Sequence, residues 1–76
     1  MTEEMFLKAE TMGCTLLHSK PTKFIDEGFY IVLAITPRNE FVTWKWANGG
    51  FHHGHYFGDI TWANRREAFE DYKARH

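Results

Sequence analysis

Asn48-Gly49-Gly50 stands between two stretches rich in aromatic residues, and no other feature limits the fold of this chain so sharply. Asparagine and glycine tolerate the positive φ angles of the tight turns that join antiparallel strands. Over residues 41–47, Val42, Trp44 and Trp46 alternate with Phe41, Thr43 and Lys45. Over residues 51–57, Phe51, His53, His55 and Phe57 alternate with His52, Gly54 and Tyr56. Alternation with period two is the mark of a strand, so the two stretches are expected to pair as an antiparallel hairpin.

The rest of the chain is arranged around that hairpin. Residues 29–36, rich in Ile, Val and Tyr, read as a strand apolar on both faces, as a central strand would be. Pro37-Arg38-Asn39 is the turn that follows it. Residues 14–19 suit a short strand, and residues 20–27, with Pro21 and Asp26-Glu27-Gly28, suit a loop. Residues 2–12 read as a helix capped by Thr2, with Met5, Phe6, Ala9 and Met12 on one face and Gly13 as its stop. A second helix runs from about Thr61 or Asn64 to Arg75. Asn64 and Glu67 suit a capping box there, and Ala68, Phe69 and Tyr72, extended by Trp62, suit a buried stripe. The expected fold is α+β: three to four antiparallel strands with N-terminal and C-terminal helices, in helix-strands-helix order, as one compact domain over residues 1–76.

Composition narrows the class. With 76 residues the chain has room for one core. A hydrophobic content of 43%, with 17% aromatic residues, is far from a disordered composition. The single cysteine, Cys14, forms no internal disulfide. The acidic start, Met-Thr-Glu-Glu, does not read as a signal peptide, and the apolar run from Phe29 to Ile35 is much shorter than the ~20 residues that span a bilayer. The expectation is a cytoplasmic protein without a membrane partner, monomer or homodimer. A net charge of −1 weighs against bulk phosphate binding.

Four constellations bear on chemistry. Across residues 41–58 the only formal charge is Lys45, among Phe41, Trp44, Trp46, Phe51, Tyr56, Phe57 and three histidines. Two short helices on one side of a sheet would leave some of these aromatics in solvent, and charge-poor aromatic patches mark contact surfaces. His53 and His55, two apart, have a two-ligand metal spacing. Further ligands would have to come from His18, Cys14, Asp59 or His76, none at a motif spacing, so neither a metal site nor a cofactor is expected. Cys14 and His18 lack a third orienting group, which leaves no catalytic set. Arg65 and Arg66, near the positive end of the second helix, break a local electrostatic rule and so mark a possible contact.

The run Phe41-Val42-Thr43-Trp44, then Gly54-His55-Tyr56-Phe57, then Ala68-Phe69 with Tyr72 and Arg75, resembles a pattern in small uncharacterised phage and prophage proteins. The resemblance implies an inhibitor of host machinery, most specifically an anti-CRISPR protein, acting on a host protein or ribonucleoprotein complex. The expected function is therefore non-enzymatic binding through Trp44, Trp46, His53, His55, Arg65 and Arg66. The alternative is a nucleic-acid-binding module that stacks bases on an aromatic sheet face.

Overall fold

The computed structural model describes residues 2–22 and 28–76. Helix α1 (Thr2–Met12) leads into strands β1 (Thr15–Pro21), β2 (Tyr30–Ile35), β3 (Glu40–Ala47) and β4 (Gly50–Asp59), and helix α2 (Trp62–Ala74) follows. The strands form one antiparallel sheet in the order β1-β2-β3-β4. The α+β, helix-strands-helix arrangement expected from the sequence is the one observed. The cap expected from the Thr2 side chain and most of the loop expected over residues 20–27 lie outside the described residues.

The hairpin follows from its turn. Asn48 and Gly49 have φ of 52° and 77°, the pair of left-handed residues that matches the twist of the flanking strands. Ala47 pairs with Gly50 and Trp46 with Phe51 directly beyond them. The turn before β3 uses Asn39 at φ 59°, with its amide donating to the Thr36 carbonyl.

The two helices lie on opposite faces of the sheet. On one face Met5 of α1 packs against Val32, Ala34, Val42, Trp44 and Trp46. On the other, Ala68 and Tyr72 of α2 pack against Ile31, Leu33 and Phe41. Adjacent residues of β2 thus feed different cores, which explains why that strand is apolar throughout. Of the sheet aromatics, Tyr56 faces solvent as some were expected to, at 57% exposed, whereas Trp44 and Trp46, expected at a contact surface, are 6% and 3% exposed. One helix per face covers what two helices on one face would have left bare. In α1 only Met5 and Ala9 of the expected stripe are buried, whereas Phe6 and Met12 are exposed.

β4 departs from simple alternation. Thr43 pairs with His55 and Lys45 with His52, so His53 and Gly54 together face Trp44 as a bulge, with His53 left-handed at φ 54°. The extra residue reverses the faces. Phe51, before the bulge, packs with Trp44 and Trp46 on the α1 side, while Phe57, after it, packs on the α2 side. Phe51, His53, His55 and Phe57 therefore do not share a face, contrary to the periodic reading.

Candidate functional site: the groove beside α2

α2 begins one turn earlier than an Asn64 cap would place it. Thr61 is the N-cap, its hydroxyl accepting from the Asn64 amide at 3.1 Å. Asn64 instead sits inside the first turn, where its side-chain amide donates to the Asp59 carbonyl at 2.8 Å and ties the end of β4 to the helix. With Thr61 as cap, Trp62 is the first helical residue, and Arg65 and Arg66 lie just beyond the first turn.

At about 100° per residue, Trp62, Arg65, Arg66, Phe69 and Lys73 fall on one flank of α2, roughly 60–160° round from Ala68. They form a second stripe beside the buried one. Trp62 is 85% exposed and Phe69 37% exposed, which corrects the reading of both as core. Between this flank and the β1–β2 side of the sheet runs a groove of about 700 Å³, with Leu33 and His18 at its base and Trp62, Arg65, Arg66 and Phe69 along its wall. The His18 ring reaches this side because the β1 register shifts between Leu16 and His18. Its centroid lies 5.4 Å from that of Phe69 and 5.8 Å from that of Tyr72.

Cations edge the groove. The Arg65 guanidinium stands 6.0 Å from the Trp62 ring centre. Lys20 lies 5.0 Å over Tyr72 and donates to the Lys73 carbonyl at 3.1 Å. Lys73 lies 5.0 Å over Phe69 and is 3.7 Å from Glu70. The first turn of α2 carries no acidic residue, so no carboxylate of that turn offsets its positive dipole end.

The opposite flank of α2 is a polar latch. Thr43, fully buried, donates its hydroxyl to Asp71 Oδ2 at 2.6 Å and accepts from Arg75 at 3.0 Å. His55 Nδ1 donates to the same carboxylate oxygen at 2.9 Å. Partial burial works to raise the Asp71 pKa, but the hydrogen bonds from Thr43 and His55 and the charges of His55 and Arg75 outweigh it and hold the carboxyl below its ordinary value. Burial likewise lowers the Arg75 pKa against the pull of Asp71. The latch fastens α2 to β3 and β4 and fixes where the groove lies.

The residues expected to form one contact surface are therefore dispersed. Arg65 and Arg66 line the groove, His55 belongs to the latch, His53 sits exposed on the bulge, and Trp44 and Trp46 lie beneath α1. Among the described residues no three His, Cys, Asp or Glu side chains are grouped to hold a metal ion, and no helix is long and apolar enough to cross a membrane. Trp62, Phe69 and His18 went unassigned to any contact surface in the sequence. The available signal was the spacing of Trp62, Arg66, Phe69 and Lys73, a helical stripe offset from Ala68 and Tyr72. Comparison with family models, with curated proteins and with solved structures returned no match.

Proposed function

We propose that this protein acts without catalysis, by binding a larger host protein or ribonucleoprotein complex in the bacterial cytoplasm and covering one of its functional surfaces. Inhibition of a CRISPR effector is the most specific version of the reading, and it rests on the phage-type resemblance. The observation that carries the binding role is Trp62, 85% exposed at the mouth of a groove that also holds Arg65 and Arg66. Tryptophan and arginine are the residues most enriched where single side chains dominate an interface. The contact set becomes Trp62, Arg65, Arg66, Phe69 and His18, with Trp44 and Trp46 serving the core.

A nucleic-acid role would find its exposed tryptophan in this same groove, because Trp44 and Trp46 lie under α1. Arg65 beside an exposed Trp62 favours it, while the net charge of −1 weighs against it. Titrating the purified domain into cleavage reactions of a panel of CRISPR effectors tests the proposal. For a susceptible effector, residual cleavage should fall to its floor near one domain per complex. Inactivation of excess effector by trace protein, or full activity of every effector, would contradict it.

A further inference from the structure

We infer that Nε2 of His55 is a nucleophile that accepts a phosphoryl group from a donor of the phosphoramidate class. The site is the solvent side of the latch between β4 and α2, on the flank of α2 opposite the groove.

The first argument is how the imidazole is placed. With unbroken alternation His55 would share the α1 side of the sheet with Phe51. The residue added at His53-Gly54 turns it to the α2 side, opposite Thr43 and 2.9 Å from Asp71. Bulges next to functional sites re-aim side chains in this way, and this one holds His53 at φ 54° to do so. The carboxylate is itself held by the Thr43 hydroxyl at 2.6 Å, and that hydroxyl by Arg75. With Nδ1–H on the carboxylate, the imidazole is fixed in the tautomer that carries its lone pair on Nε2. The His55 side chain is 50% exposed and that of Asp71 26%, so the oriented ring is open to a reagent. His52, His18 and His53 are placed differently. Nε2 of His52 lies 3.0 Å from the Ala47 carbonyl, the His18 ring lies against Phe69 and Tyr72, and the His53 ring neighbours that of His52.

The second argument is charge. As Nε2 attacks phosphorus, positive charge grows on the ring while the phosphoryl oxygens stay negative. Asp71, ionised at neutral pH, faces the ring. The Arg75 guanidinium, bonded through Nη1 to the Thr43 that lies opposite His55, stands on the same flank for the oxygens. A neutral acyl donor would gain from Asp71 alone. In the transfer the Nε2 lone pair forms the new N–P bond. The P–N bond of the N-protonated donor breaks, its electron pair stays with the nitrogen, and ammonia departs. Nδ1 keeps its proton on Asp71, and nothing is oxidised or reduced.

The test is incubation of the folded protein with potassium phosphoramidate at neutral pH, with phosphorus NMR and tandem mass spectrometry to locate the label. Exposed imidazoles in general react slowly with this reagent, so His53, exposed on the same strand, serves as the internal reference. His55 should be labelled at Nε2 about tenfold faster than His53 or more, a factor within reach of one charge at this distance in a partly exposed site. His55→Gln should remove that label. Asp71→Asn should bring His55 down to the rate of His53 and leave His53 unchanged. With diethyl pyrocarbonate, an uncharged acylating reagent, the ratio of His55 to His53 labelling should be smaller. Equal labelling of the two histidines by phosphoramidate, label at Nδ1 of His55, a His55 rate that survives Asp71→Asn, or an equal ratio with both reagents would overturn the inference. Should Asp71→Asn fail to fold, the comparisons within the wild-type chain decide alone.

Discussion

Replacing Gly54 with alanine should destabilise the protein, and the cause is one side chain. A Cβ at this position would lie 2.8 Å from Nε1 and 3.0 Å from Cδ1 of Trp44, and 2.9 Å from Cε1 of Tyr56. Carbon contacts settle near 3.5–4.0 Å, so both rings would have to retreat by about half an ångström or more. Tyr56 is 57% exposed and can turn into solvent. Trp44 is 6% exposed and stacked on Phe51 with centroids 4.8 Å apart, so it cannot move without disturbing the core beneath α1. Overpacking of this kind costs about 1–3 kcal/mol. Alanine's smaller unfolded-state freedom offsets about 0.4–1 kcal/mol of it. The net loss of about 1–2 kcal/mol corresponds to a melting temperature lowered by roughly 5–15 °C in a domain of this size. Thermal and urea unfolding followed by circular dichroism would measure it, with the urea m value unchanged. The same penalty should persist in a Tyr56→Ala background, because Trp44 is the immovable partner. A Gly54→Ala protein as stable as wild type, or a penalty that vanishes with Tyr56→Ala, would refute the argument.

Met5 is the one large side chain that α1 buries completely, so Met5→Ala should cost about 2–5 kcal/mol and loosen that helix; a melting temperature unchanged within error would mean α1 docks by other contacts. His53 holds a left-handed conformation that costs a non-glycine residue about 1–2 kcal/mol, so His53→Gly should leave stability equal or raise it by up to about 1 kcal/mol despite glycine's entropy. A clear drop in the urea midpoint would show that the His53 ring makes contacts that outweigh its backbone strain. Asp71 has a folded pKa below its unfolded value of about 3.9, so its contribution is fully present above that value and is lost as pH falls through the lower folded value. Asp71→Asn should therefore be less stable than wild type at neutral pH, and its stability should decline less steeply below about pH 4. Parallel acid-limb slopes for the two proteins would contradict the latch.

What the sequence revealed was local. Asn48-Gly49 announces its turn because so few residue pairs accept two successive left-handed conformations, and β2 announces its central place by being apolar on both faces. The side on which each helix docks is not a local property. Met5 and Ala68 each have an apolar neighbour set whichever face they meet, so the burial of Trp44 and Trp46 could not be read from alternation. The bulge at His53-Gly54 was hidden for a related reason: a period-two reading assumes that no residue is added, and one added residue exchanges the faces of everything beyond it. At α2 two cap candidates three residues apart, Thr61 and Asn64, both fit the pattern, and the choice between them decides whether Trp62 stands before the helix or opens it. The groove depends on that choice and on the Thr43–Asp71–Arg75 latch, which joins residues far apart in the chain.

The most direct test of the groove's role is a titration of the Trp62→Ala, Arg66→Glu protein against a host complex that the wild type inhibits, with melting curves recorded for both proteins. Both side chains are exposed, so the melting temperatures should nearly coincide, while binding should weaken about thirtyfold or more, as loss of a dominant interface residue does. Equal binding by the two proteins, at equal stability, would contradict the account.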